Sequence, residues 1–412
     1  MFDSKTSTGG FARASHAVFQ MDYNDCTRCG FKCSSVCTVT RATRKHALHE
    51  FLERYLGHGE ALAWPCMGCR SCEAVCPAEY KPYQLVQKAM QEFLKGNENE
   101  LSDYHEEFKE RGRMGITSVF LDDLVIPQNI IGRHSILNAF DKVIIFPGCL
   151  VSARFPWLVY RLYQLLVLLG VDTKRVIVED ESCCGSFLQS IDDDEFIDNG
   201  KRFFKAIMKK AEKTLILTCC GSCTSTLRNL QRRLSSTGVP EKMLDSLGAA
   251  TIQHYVEFLA MPESIELLRP AIERSARVKD DNGKKHVYLQ FPCQAILEPA
   301  ARLATMDGLK WLLKAAGYEM IRVSHDLGCC GAGLLETHPD LAIEYGIRRL
   351  TNITSDSEKE LGMIAVACGN CHRSFVDFKP AMEIESERVE GMDVDVRFLL
   401  DMLMELLLPV NK

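Results

Sequence analysis

ESCCGSF (181–187) sets two cysteines side by side and follows them with a glycine, and GCCGAG (328–333) repeats the pattern. Thiolates bind soft metals and carry redox chemistry. Each pair belongs to a spaced set. Cys149, Cys183, Cys184, Cys220 and Cys223 form the first; Cys293, Cys329, Cys330, Cys368 and Cys371 form the second. The pattern C…CCG…CxxC is therefore an internal repeat of about 145 residues. A disulfide between neighbouring residues is strained, and a zinc tetrahedron rarely takes adjacent ligands. Two thiolates on adjacent iron atoms, or one bridging them, is easier geometry, and glycine lets backbone approach an inorganic core.

The other cysteines concentrate between 26 and 76. PCMGCRSCEAVCP (65–77) has the C-x2-C-x2-C-x3-C-P spacing of bacterial-type [4Fe–4S] sites. CTRCGFKCSSVCT (26–38) is less regular, with one extra residue before Cys33 and Thr38 where proline is usual. In two-cluster ferredoxins the fourth cysteine ligates the other cluster. The expected sets are Cys26, Cys29, Cys33 and Cys76 for one cubane, and Cys66, Cys69, Cys72 and Cys37 for the other. A pair of zinc sites is the alternative, since C-x2-C also suits Zn–S4.

Elements must place these thiols. KVIIFPGC (142–149) reads as a buried strand ending at a Pro-Gly turn, followed by an apolar helix at 157–169 and strand 174–180 leading into the first CCG loop. A helix near 195–212 then feeds strand 214–220. The second half offers strand 286–293, a helix near 298–316, strand 319–325, a helix near 339–352 and strand 363–371. Each cysteine group follows a strand, at the carboxyl end where open α/β sheets bind ligands. The sequence thus predicts an α/β tandem repeat (142–276 and 286–412) behind an α-helical, ferredoxin-like domain with two [4Fe–4S] clusters (1–115), its helices near 41–56, 82–95 and 101–111. RVKDDNGKK (277–285) is the expected linker. DVRFLLDMLMELLL (395–408) reads as a last apolar helix that packs on its own domain or docks a partner.

Composition narrows the class. Hydrophobic content of 46% and charged content of 25% are those of a globular chain. A net charge of −6 argues against bulk nucleic-acid binding. WLVYRLYQLLVLLGV (157–171) is interrupted by Arg161 and Gln164, so no transmembrane segment is expected. The first residues lack an apolar signal core, which points to the cytoplasm, and there 19 cysteines speak for metal rather than disulfides.

FPGCLVSARFP, ESCCGS, CGSC, DLGCCGAG and CGNCH resemble the motifs of the CCG-domain protein of heterodisulfide reductase, and the N-terminal third is similar to the small ferredoxin-like protein of the same enzyme. Together the two likenesses cover nearly the whole chain, as a fusion of those two components. The resemblance implies a noncubane [4Fe–4S] cluster on each five-cysteine set, beside two cubane [4Fe–4S] clusters. It also implies reduction of a heterodisulfide such as CoM-S-S-CoB to two thiols, in anaerobic metabolism of the methanogenic kind. No Gly-rich nucleotide fingerprint appears, so no flavin is expected in this chain. A partner would supply electrons: a flavoprotein like that of heterodisulfide reductase, a hydrogenase, a formate dehydrogenase or a membrane cytochrome, the last placing the chain on the cytoplasmic membrane face. The alternative is a pure electron relay without its own substrate, as in benzoyl-CoA reductase-like or quinone-linked complexes. Gln294, where many relatives have histidine, and the extra thiol Cys219 depart from the pattern.

The disulfides of such enzymes are small anions, so Arg154, Arg228, Arg373 and Lys379 are candidate anchors. His325 and His372 lie near cysteines in sequence and are candidate proton donors or hydrogen-bond donors to sulfur. His254, in TIQHYVEFL, reads as a structural histidine on an apolar helix.

Overall fold

The computed structural model describes residue 76 and residues 131–408, apart from 180–181, 187, 208–211, 237, 280–284, 295–298, 322–327, 336–338, 356–360 and 393. The helices expected at 41–56, 82–95 and 101–111, His325, and every cubane cysteine except Cys76 lie outside the described residues.

Two four-stranded sheets are present among the described residues, each wholly parallel. In the first, β1 (Lys142–Phe146), β2 (Val176–Val178), β3 (Thr214–Thr218) and β4 (Ala250–His254) stand in the order β2-β1-β3-β4. In the second, β5 (Lys285–Gln290), β6 (Tyr318–Met320), β7 (Met363–Val366) and β8 (Asp395–Phe398) stand in the order β6-β5-β7-β8. Helices cover both faces of a parallel sheet, so its central strands read as continuous apolar runs. TLILT and MIAV are buried at every residue.

The register fixes equivalent positions. Ile144 pairs with Ile216 in one sheet, and Tyr288 pairs with Ile364 in the other. Thr218 pairs with His254, and Val366 with Phe398. His254 and Phe398 are thus counterparts at the carboxyl ends of the outer strands.

Helices α1 (Cys149–Arg154) and α2 (Pro156–Leu168) follow β1, and α3 (Asp193–Ile207) leads to β3. After β3 come α4 (Gly221–Ser236), then β4, α5 (Tyr255–Leu259) and α6 (Pro262–Lys279). The second repeat has α7 (Pro299–Ala315), α8 (Pro339–Ser355), α9 (Gly369–Val376) and, after β8, α10 (Leu399–Leu407).

Several expectations are corrected. Segment 395–408 is not one helix: Asp395–Phe398 joins the sheet as β8, and the helix begins at Leu399. The alternation of DVRF satisfies an edge strand, and only the following leucine- and methionine-rich run turns helical. That helix does not pack on its own repeat alone; it lies against α2 and α6 of the first repeat. Trp157 Nε1 donates to Asp401 at 3.0 Å, and Arg161 stands 3.5 Å from the same carboxylate. The expected linker is shorter, because α6 runs to Lys279 and β5 begins at Lys285. His254 does not sit on a helix: it ends β4, and its side chain accepts from Val256 N–H to cap α5.

The repeats share one hydrophobic core. α6 packs on α7 and α10, and α1 packs on α9. Each repeat therefore covers apolar surface of the other, which holds the two strand-end regions face to face.

Candidate metal centre

In both sheets the strand order reverses beside the first strand, and such a switch point opens a crevice at the carboxyl ends of the strands. Cys149 opens the helix after β1, while Cys220 and Cys223 follow β3. Cys293, Cys368 and Cys371 repeat this after β5 and β7. Each CCG loop arrives from the neighbouring strand side. Gly185 and Gly331 adopt left-handed φ values of 73° and 82°. That turn aims the Gly185 N–H at Cys183 Sγ and the Gly331 N–H at Cys329 Sγ, both at 3.5 Å. Helix side chains fix the loops from behind: Asn199 Nδ2 donates to the Cys183 carbonyl at 3.2 Å, and Ser374 Oγ to the Cys330 carbonyl at 2.7 Å.

The structure brings all ten cysteines of the two sets into one seam. All ten are reduced thiols, and hydrogen bonds link Cys149 to Cys183, Cys183 to Cys184, Cys184 to Cys223 and Cys223 to Cys220. Hydrogen bonds likewise link Cys293 to Cys329, Cys329 to Cys330, Cys330 to Cys371 and Cys371 to Cys368. The two halves join through Cys220 and Cys368. These are the same position in each repeat, so the join is isologous, as across a two-fold axis. Gly221 N–H, from the first repeat, also serves Cys368 of the second. Cys149 and Cys293 are half-buried at the two ends; the other eight are buried.

The acidities differ sharply along the seam. Cys184 is held down at about 5 by donation from Cys183 and Cys223. Cys368 is lowered by Cys220 and Cys371, and Cys329 by Cys293 and Cys330. Cys220, Cys223, Cys330 and Cys371 are pushed up by donation to these sulfurs and by burial. For Cys183 the bond to Cys149 acts downward, but the bond to Cys184 and burial outweigh it and carry the thiol up to about 12. Cys184, Cys368 and Cys329 thus each have two thiol donors directed at them in a buried setting, and the thiolate is the metal-binding form. Among the described residues no three His, Cys, Asp or Glu side chains gather tightly enough for a single ion. Gly148, at φ 76°, is part of the same fit: a Cβ there would come 2.5 Å from Cys223 Sγ.

Cys219 is buried and stands outside the seam, its thiol pushed up to about 12 by burial alone. Of the candidate anchors, Arg154 is 58% exposed and pairs with Asp377 of the second repeat at 3.3 Å. Arg228 is spent on the Ile252 carbonyl and on Glu257 at 2.8 Å. The Arg373 guanidinium lies over the Phe378 ring at 5.1 Å, and Lys379 donates to the Met392 carbonyl and stands 3.4 Å from Glu383. His372 stacks flat on Phe398, with centroids 4.6 Å apart, and burial lowers its pKa.

Family comparison agrees with this geometry. A cysteine-rich domain of the CCG family matches residues 143–228 and again 287–376, and a 4Fe-4S dicluster domain matches residues 22–80. The chain carries two CCG repeats. Its CCG repeats coincide with the two parallel sheets, and a 4Fe-4S dicluster domain precedes them in the sequence. Two similar proteins carry the description uncharacterized iron-sulfur protein. One, from Methanococcus maripaludis, is 26% identical over 165 residues, 40% of this chain and 33% of that protein. The other, from Methanocaldococcus jannaschii, is 25% identical over 166 residues, again 40% and 33%. The match thus spans about a third of each relative's length. Among the described residues no helix is long and apolar enough to cross a membrane.

Sequence reasoning missed two buried cations beside the second CCG set. Arg349 is 3% exposed; its Nε donates to Gln290 at 2.9 Å and its Nη2 to the Tyr288 hydroxyl. Arg302 is 7% exposed and donates to the Cys293 carbonyl at 3.0 Å. One signal was available. Arg349 shares a helix face with Ala342, Tyr345 and Ile353, all buried, so its charge falls in core phase.

Proposed function

We propose that this chain is the disulfide-reducing component of a heterodisulfide-reductase-like assembly, converting a small anionic disulfide such as CoM-S-S-CoB to two thiols. The observation that supports this reading is the seam of ten cysteines, five from each CCG repeat, continuous across the Cys220–Cys368 join. In this reading Cys149, Cys183, Cys184, Cys220 and Cys223 hold one noncubane [4Fe–4S] cluster, and Cys293, Cys329, Cys330, Cys368 and Cys371 the other. Cys26, Cys29, Cys33 and Cys76, and Cys66, Cys69, Cys72 and Cys37, hold the two cubanes. Bound iron–sulfur clusters would supply electrons one at a time. Disulfide cleavage consumes two electrons and two protons, breaks one S–S bond and yields two thiols. Two paired sites match that stoichiometry.

The protein's own part is to bury the sulfurs, direct the backbone N–H groups of Gly185, Gly331 and Gly221 at them, and hold the two sites together through shared core packing. Electrons would enter through the N-terminal domain from a cytoplasmic flavoprotein, hydrogenase, formate dehydrogenase or membrane cytochrome. Arg154, Arg373, His325 and His372 are the proposed substrate-facing groups.

The relay reading has one observation in its favour: the joining thiols are buried, leaving only Cys149 and Cys293 half-exposed. The experiment that decides is anaerobic. The full iron-loaded chain, reduced by an artificial one-electron donor, is mixed with CoM-S-S-CoB, and thiol release is followed. Electron paramagnetic resonance is recorded with coenzyme M and with coenzyme B. Two thiols per two electrons, with a thiol-dependent signal, is the expected result. No turnover and no signal with all iron present gives the relay.

A further inference from the structure

The offset that takes Cys149 to Cys293 also takes Phe146 to Gln290, Ile144 to Tyr288 and Leu158 to Arg302. The offset that takes Cys183 to Cys329 takes Phe203 to Arg349, and Gly200 to Gly346 on the same helix. Behind the first cysteine pair stand two aromatic rings, Phe146 and Phe203, edge to face at 5.2 Å. Behind the second stand a guanidinium, an amide and a phenol. The Arg349 plane lies 5.1 Å from the Tyr288 ring centroid, and Gln290 Nε2 donates to the Gly328 carbonyl at 3.0 Å, directly before the cysteine pair. A Cβ on Gly328 would strike the Arg349 guanidinium, so this residue must be glycine for the cation to approach the loop.

We propose that Arg349 and Arg302 make the second CCG site the electron-holding member of the pair, so that the first electron to reach the two sites rests there. The inference depends on the reading that both sites bind [4Fe–4S] clusters. Adding an electron adds negative charge, and a buried cation stabilises it far more than a solvated one, because little water screens the pair. The step moves one electron from the first site, which is oxidised, to the second, which is reduced. No bond is made or broken, and no proton is needed, because guanidinium stays protonated in both states. The electron comes from a low-potential one-electron donor, dithionite in vitro. No buried arginine occupies the first repeat's equivalent positions, where Leu158 and Phe203 are buried instead.

The test is an anaerobic potentiometric titration of the full iron-loaded chain with dithionite, followed by absorbance and electron paramagnetic resonance. In Arg349→Gln the more positive of the two CCG potentials falls by about 59 mV, a tenfold change in a one-electron equilibrium, while the less positive one stays. Arg349→Lys restores most of the loss. Arg302→Leu, which copies Leu158, lowers the same potential by less and decides the matter should Arg349→Gln fail to fold. Full iron content with unmoved potentials, or movement of the less positive one, overturns the inference alone. Absence of iron at the CCG cysteines of the unaltered chain overturns the inference and the cluster reading together.

Discussion

The two repeats share a strand order, a ten-sulfur seam and a left-handed glycine after each cysteine pair, yet the matter behind the pairs is apolar in one and polar in the other. Phe146, Ile144, Phe203 and Leu158 fill the first; Gln290, Tyr288, Arg349 and Arg302 fill the second. The backbone determines where sulfur stands, and that is common to both. Helix and strand side chains one layer behind determine the electrostatic surroundings, and those have diverged. A duplicated frame can therefore present two sites of like geometry and unlike charge.

Exchanging the two interiors gives the largest effects. Phe203→Arg puts a buried guanidinium against the Phe146 and Phe204 rings. An unpaired buried charge costs several kcal/mol, about 4 or more here. The reverse change, Arg349→Phe, removes the donor that Gln290 Oε1 and the Tyr288 hydroxyl use, and costs about 2–4 kcal/mol. Adding Gln290→Phe and Tyr288→Ile to it recovers most of that loss, because apolar groups then meet apolar groups. Urea unfolding of the unaltered chain and these variants measures all of this. Equal costs for the two single changes would show that the interiors are interchangeable and break the comparison.

His254 and its counterpart Phe398 differ in the same way at the outer strand ends. Burial lowers the His254 pKa to about 4 from the usual 6.5. Between those values the unfolded chain binds a proton that the folded chain refuses. Stability is thus whole above about pH 6.5 and falls as the pH drops toward 4, by up to about 3 kcal/mol. His254→Phe, which copies Phe398, flattens that slope while losing the cap on Val256 N–H, about 1 kcal/mol at all pH values. A variant whose unfolding keeps the full slope between pH 4 and 6.5 would assign it to other groups.

Gly148 sharpens the contrast on a smaller scale. The offset from Cys149 to Cys293 puts Pro292 at its place in the second repeat. Gly148→Ala meets both a φ of 76° and the Cys223 sulfur, and costs about 1–3 kcal/mol. Iron loading at the first site falls while the second keeps its own, as read by iron analysis and by the signals of each site. Equal loss at both sites would mean that the seam assembles as one unit.

Much of this frame was legible in the sequence. Continuous apolar runs ending in cysteine marked β1, β3, β5 and β7, because a parallel strand covered on both faces leaves no alternation to confuse the reading. The cysteine spacing marked the repeat. The last strand of each sheet, β4 and β8, was missed for physical reasons. ATIQH and DVRF alternate as edge strands do, but each runs straight into an apolar helix, and the helical period of YVEFL and LLDMLMELL masks the shorter signal. Arg302 and Arg349 were missed because a charged residue on a helix defaults to the solvent face; only their phase among buried neighbours marks them as interior. The join between Cys220 and Cys368 was not legible at all, since α1 against α9 and α10 against α2 are contacts between repeats that no local pattern encodes.

Those contacts between repeats also supply the smallest expected effect. Arg154 reaches Asp377 across the boundary at 3.3 Å, with side chains 58% and 30% exposed. Solvent and salt screen such a pair, and it contributes less than about 1 kcal/mol. Apolar contact, with Phe155 edge to face on Phe398 at 5.1 Å, is the stronger tie between the halves. Arg154→Ala therefore leaves the urea midpoint nearly unchanged at about 0.15 M salt, and the little it costs vanishes at about 1 M. Under the proposed function, a disulfide-reduction assay separates the two roles open to this residue. A rise in KM without loss of stability makes Arg154 an anchor for an anionic substrate, whereas unchanged kinetics leave it as a screened ion pair on a boundary that hydrophobic packing already holds.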